Sequence, residues 1–372
     1  MTFPGSATPE GTARYATRLH DLVAEGHFRE FQGLKVSSIG LGTYLGEHDP
    51  ETDAQYREAV IRAIELGCNL IDTAINYRFQ QSERAIGQAL ATLFEQGRAQ
   101  RDEIVIATKG GFIPFDGSPP RTQGDFSRYI EETFVRPGVI KPADIVAGCH
   151  CMTPGYLQHQ LDASRRNLGV ECLDIYFVHN PEMQLEEIPR TVFVQRIRAA
   201  FQAMESSVAA EKIRWYGTAT WNGYRQPTDA ADYLSLGELV AAARDVGGEQ
   251  HHFKVIQLPH NLAMPEALTR QNQQVDDHTL TVLEAASLYG IYVVTSASIL
   301  QSRLSQGLPA VLAQVFDLQT DAQRAIQFVR SSPGVGSALV GMKQVPHVEE
   351  NLAVAKVPPA PVEQFMQLFE RS

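Results

Sequence analysis

The chain has 372 residues, 44% of them hydrophobic and 20% charged, with a formal net charge of −11. This is the balance of an ordinary globular protein, long enough to bury a large core. The negative charge excludes a general nucleic-acid binder, which needs surplus Lys and Arg to neutralise phosphates. Cysteines are sparse: Cys149-His150-Cys151 is the one close pair, and neither Cys68 nor Cys172 completes a zinc set with it. No apolar run reaches the roughly 18 residues of a membrane-spanning helix, and the N-terminal stretch lacks the apolar core of a signal peptide. A reduced, cytoplasmic protein without a membrane partner is expected.

In chain order, residues 1–27 are rich in Ala, Arg and Glu and predict a helical extension. Short β-rich runs then follow at 36–42, 69–72, 104–108, 173–179, 213–218, 253–258, 291–295 and 337–340. Segments of helical period separate them, such as AQYREAVIRAIEL, SERAIGQALATLFEQ, LQHQLDASRRNL and TLTVLEAASLY. In the first, Tyr56, Val60, Ile61, Ile64 and Leu66 recur at the spacing of one buried face. Gly67, Gly169 and Gly290 close helices just before a strand, which fits left-handed C-caps. Strands that alternate with helices predict a parallel sheet, and eight such units predict a closed (β/α)8 TIM barrel of the α/β class. An open doubly wound sheet would want a GxGxxG turn after its first strand, and Gly40-Leu41-Gly42-Thr43 does not continue that way. Residues 28–372 are read as one barrel unit, interrupted after its third strand by a long insertion over 110–148.

Barrels place their chemistry beyond the C-terminal ends of the strands. There the second predicted strand ends in Asp72, with Tyr77 five residues on; the third runs into Lys109 and the fourth ends in His179. A carboxylate, an amine, a phenol and an imidazole would thus project to one rim. The segments GLGTY, GCNLIDTAINY followed by SERAIGQAL, IVIATK, LDIYFVH, VIQLPHNL and VGMKQVPHVEENLAV carry a resemblance that spans residues 34–356. In that order they resemble the aldo-keto reductase family.

The resemblance implies an NAD(P)H-dependent oxidoreductase that moves a hydride between the dinucleotide and a carbonyl or alcohol compound, by aldehyde or ketone reduction or the reverse. Tyr77 is expected to be the proton donor, with its pKa brought down by Lys109; Asp72 is expected to hold Lys109, and His179 to orient the carbonyl. The implied cofactor contacts are Gly42, Thr43, Asp72, Thr220, Gln257 and Ser296 around the nicotinamide, and Lys343, Gln344, Glu350 and Asn351 at the adenosine end. Two segments depart from the family pattern. Ala219-Thr220 stands for a Ser-Asn pair, and Ser296-Ala297-Ser298-Ile299 lacks the usual stacking ring. Lys343 would pair with a 2′-phosphate, although His347 stands where some members have arginine, so NADP(H) is expected ahead of NAD(H). No metal is expected. The alternative is a catalytically weak, cofactor-holding regulatory subunit of the same fold. The aromatic insertion is read either as a lid over the substrate or as packing against the outside of the barrel, and Trp221 and Tyr224 as pocket candidates.

Overall fold

The computed structural model describes residues 2–370. After a helix over Pro9–Arg18 the chain forms an antiparallel hairpin of β1 (Phe28–Phe31) and β2 (Leu34–Ser37). Gln32 and Gly33 turn it at φ 49° and 85°, the left-handed pair whose twist suits a two-residue hairpin. Phe31, Leu34 and Val36 are buried in one cluster with Leu70, Val105, Val255 and Leu339 from the barrel strands. The Phe31 ring meets Trp215 at 5.0 Å and Tyr292 at 4.9 Å. These partners stand near the starts of their strands, so the hairpin plugs the N-terminal end of the barrel and leaves the other end for chemistry.

The barrel closes from β3 (Ile39–Gly42), β4 (Leu70–Asp72), β5 (Val105–Gly110), β6 (Leu173–His179), β7 (Ile213–Ala219) and β8 (Phe253–Pro259), followed, after an outlying hairpin, by two further strands. The hairpin is β9 (Gln273–Val275) with β10 (His278–Leu280); the closing strands are β11 (Tyr292–Ser296) and β12 (Ser337–Gly341). All eight predicted strands are present in a parallel ring. Gly217 makes one close passage possible: a Cβ there would lie 1.7 Å from the Val255 carbonyl, at the register shift between β7 and β8.

The helices follow from local signals. Pro50–Glu65 starts at Asp49, whose carboxylate accepts from the Thr52 N–H, with proline in the first turn. Gly67, Gly169 and Gly290 take φ of 102°, 67° and 65°, the backbone sense expected where these helices end. Two expectations need correction. The run 36–42 is not one strand, because pairing breaks at Ser38, where the side chain of Asn69 takes the Ser37 N–H at 2.8 Å and the Asn69 N–H goes to Ser37 Oγ. The predicted helix at 279–289 is shortened to Val282–Leu288 by β10, which pairs with β9.

The insertion carries structure of its own: a helix over Gln123–Ile130, a wider turn over Glu131–Val135, and a small core of Ile113, Ile130, Phe134 and Ile140. Its aromatic rings pack on one another. Phe115 meets Phe126 and Tyr129, and Phe134 meets Tyr156 of the helix Pro154–Leu168 on the outside of the barrel.

Candidate active site

Strand register assembles the rim. Gly42 pairs with Asp72, Asp72 with Ala107, and Lys109 with Phe177, while His179 pairs with Ala219 and Ala219 with Gln257. Lys109 Nζ lies 2.5 Å from Asp72 Oδ1 and donates to the Thr73 carbonyl at 2.7 Å. Gln257 Nε2 holds the other oxygen of Asp72 at 2.8 Å. Lys109, Asp72 and Gln257 are all buried, and the ammonium stands 5.0 Å from the centre of the Tyr77 ring. The Tyr77 and His179 rings lie 6.0 Å apart, edge to face. The four groups expected from sequence therefore converge.

Tyr77 is presented by a turn that no glycine eases. Arg78, Phe79 and Gln80 all take left-handed φ, at 48°, 55° and 71°, a conformation that costs ordinary residues about 1–2 kcal/mol each. The buried Arg78 side chain anchors this turn. It donates to Asp53 Oδ1 at 2.7 Å and to the Glu47 carbonyl at 2.6 Å, and lies over the Tyr56 ring at 5.2 Å.

Beside these groups opens a cavity of about 520 Å³, lined by Gly42, Thr43, Asp72, Tyr77, His179, Thr220, Gln257 and Ser296 among the expected residues. Sequence reasoning did not single out Tyr44, Asn76, Asn180, Gln301 or Ser302, which also line it; Asn180 was readable as the next residue beyond His179. Lys343, Gln344, Glu350 and Asn351 lie outside the cavity, on the loop and helix that follow β12. Of the insertion aromatics only Phe112 faces the cavity, so the rest serve packing. Trp221 stands half-exposed at the mouth, whereas Tyr224 is buried and bonded to Thr218 Oγ1.

The electrostatics differ from expectation at one point. Burial pushes the Tyr77 phenol well above its ordinary range, with Asp72 adding to the rise. The Lys109 ammonium, 5.0 Å from the ring centre and paired with Asp72 at 2.5 Å, does not offset that rise. Burial, with Lys109 and the His150 imidazole nearby, takes His179 well below 6.5, so this imidazole is neutral at physiological pH.

Three buried polar atoms on cavity-lining residues have no partner in the protein: Thr220 Oγ1, Ser298 Oγ and Asn76 Oδ1. Such atoms are costly unless a ligand or water satisfies them. Of these residues, Thr220 is tied to Gln257, its N–H donating to the Gln257 carbonyl at 2.8 Å. Among the described residues no three His, Cys, Asp or Glu side chains converge as a metal site would need, and no helix is long and apolar enough to cross a membrane.

Comparison with known proteins agrees with this geometry. The family model described as aldo/keto reductase family matches residues 38–236, and the chain belongs to that family. It is 28% identical to the NADP(+) aldo-keto reductase yakc of Schizosaccharomyces pombe, over 49% of this chain and 42% of that protein. It is 27% identical to the NADH-specific methylglyoxal reductase of Escherichia coli, over 55% of this chain and 54% of that protein. The chain thus spans about half the length of the curated relatives it matches. The same fold is seen in an aldo/keto reductase from Klebsiella pneumoniae crystallised with NADP and acetate, at a TM-score of 0.61 and 22% identity, covering 93% of this chain and 95% of that one.

Proposed function

We propose that the protein is a carbonyl reductase, equally an alcohol dehydrogenase in the reverse direction, dependent on NADP(H) and less readily on NAD(H). The observation that carries this reading is the meeting of Tyr77, Lys109, Asp72 and His179 beside a cavity whose unpartnered polar atoms fit a nicotinamide. Gly42, Thr43, Asp72, Thr220, Gln257 and Ser296 would hold the nicotinamide end; Lys343, Gln344, Glu350 and Asn351 the adenosine end, with Lys343 on the 2′-phosphate. When bound, the dinucleotide supplies or accepts the hydride.

The chain's own residues manage the proton and the pose. Tyr77 is a phenol with a pKa held high by burial, so it stays protonated at neutral pH and can give its Oη proton to the developing alkoxide. Lys109 and Asp72 form a buried, nearly neutral pair that fixes the floor beneath that ring. Neutral His179 donates a ring N–H to the same substrate oxygen and sets the direction from which the carbon is approached. Phe112, Tyr44 and Trp221 line the site, and the substrate is a small carbonyl or alcohol compound.

The test is fluorescence titration with NADPH and NADH, followed by a panel of aldehydes and ketones. Binding followed by carbonyl-dependent oxidation of the nucleotide is expected. Binding without turnover across the panel would overturn the reading in favour of a cofactor-holding regulatory subunit.

A further inference from the structure

His150, the middle residue of Cys149-His150-Cys151, has no part in the proposed reaction, yet it is completely buried beside the cavity. The two ends of the insertion bring it there. The Ile113 N–H donates to the Cys149 carbonyl and the Cys151 N–H to the Gly111 carbonyl, each at 2.8 Å, so that Phe112 and His150 face one another in an antiparallel bridge.

The hydrogen bonds around this imidazole have a forced direction. Arg196 Nη1 donates to Gln184 Oε1, and a guanidinium can only donate. Gln184 must therefore turn its amide nitrogen towards His150, where Nε2 meets Nδ1 at 2.8 Å. Nδ1 is then the acceptor, the ring proton sits on Nε2, and that N–H donates to the His179 carbonyl at 2.6 Å. Close approach also requires Gly111: a Cβ there would lie 2.8 Å from both His150 Nε2 and the His179 carbonyl oxygen. The Phe112 ring stands edge-on to both imidazoles, 5.5 Å from His150 and 4.9 Å from His179. Its carbonyl accepts from Gln160 Nε2 at 2.8 Å and Tyr156 Oη at 3.0 Å.

Resting on the reading of His179 as the substrate-orienting group, we propose that the insertion is a buttress rather than a lid. His150, two residues past its end, is a positioning residue that, held by Arg196 and Gln184, fixes His179 and Phe112 against the cavity. His179 is the last residue of β6 and the chain turns left-handed at Asn180, φ 44°. A tether on the His179 carbonyl therefore sets where the ring points. Burial keeps His150 neutral, its pKa pushed down to about 4, as the acceptor role of Nδ1 requires.

The test combines two readouts on the full-length chain. Imidazole ¹⁵N NMR is expected to show His150 as the pure Nε2–H tautomer, and Arg196→Met, a change at a half-exposed position that frees Gln184 to turn, to shift the His150 Nδ1 and His179 resonances. In turnover, His150→Leu is expected to lower kcat by about tenfold to a hundredfold. It should also shift the enantiomeric ratio from a prochiral aryl ketone towards unity with the NADPH Kd unchanged, and His150→Gln, which keeps a donor, should restore both. An Nδ1–H or averaged tautomer in the wild-type chain overturns the proposal, as does a folded His150→Leu chain with wild-type kcat and product ratio. If His150→Leu does not fold, Arg196→Met carries the same readings. A wild-type chain with the Nε2–H tautomer and no carbonyl turnover supports the relay and refutes the reductase reading.

Discussion

Arg78 offers a quantitative probe of how the proton donor is held. Its two hydrogen bonds, to Asp53 and the Glu47 carbonyl, are charge-assisted and contribute about 1.5–3 kcal/mol each; its position over Tyr56 adds about 0.5–2 kcal/mol. The three left-handed residues 78–80 oppose this with about 3–6 kcal/mol of backbone strain. Anchor and strain are thus of the same size. Arg78→Met removes the anchor, and the turn can relax by giving up the strained conformation. The expected loss of stability in urea unfolding is therefore only about 1–3 kcal/mol, well below the sum of the deleted contacts. Relaxation carries Tyr77 with it, so kcat/KM for aldehyde reduction should fall by about a hundredfold or more. A stability loss equal to the full contact sum with kcat/KM unchanged would refute this reasoning, since the turn would then have kept its shape without Arg78.

Other perturbations follow from the same site. Lys109→Met leaves Asp72 buried with no counter-charge and should destabilise the chain by about 3–5 kcal/mol; adding Asp72→Asn should recover much of the stability by thermal unfolding but none of the turnover. Glu182 accepts the backbone N–H groups of Trp221 and Asn222 at 2.8 and 3.1 Å, and burial raises its pKa from 4.5 to about 7. The folded state then binds a proton that the unfolded state has released, so this group's contribution to stability falls by about 3 kcal/mol as pH rises from about 5 to 8. The Glu182→Gln profile should diverge upward from the wild type by that amount, and parallel profiles would contradict the assignment. Lys343→Ala should raise the Kd for NADPH by about tenfold and leave that for NADH nearly unchanged, measured by fluorescence titration.

The barrel was legible because each strand is a short apolar run closed off by turn residues, and the helices between carry a 3.6-residue pattern that only a crossover uses. The reactive groups were legible for a related reason: Asp72, Lys109 and His179 are polar residues at the ends of strands otherwise buried throughout. What escaped depends on distance in the chain. The hairpin over 28–37 is short, although Gln32-Gly33 was a local signal for it. The left-handed turn after Tyr77 contains no glycine and is held by Arg78 from contacts 25 and 31 residues away. The direction of the Tyr77 pKa went unread because residue types alone did not reveal how completely the phenol would be buried, and burial is the largest cause of the rise. His150 gave no signal in the sequence because its burial is created by the return of the insertion to Phe112.

The most direct test of the account is a single-turnover comparison of wild type and Tyr77→Phe, following nicotinamide absorbance after mixing saturated enzyme–NADPH with aldehyde. The account predicts equal NADPH affinity and hydride transfer slower by about 100- to 10,000-fold when the phenol is lost. Transfer at the wild-type rate in Tyr77→Phe would contradict it, because the proton would then come from elsewhere.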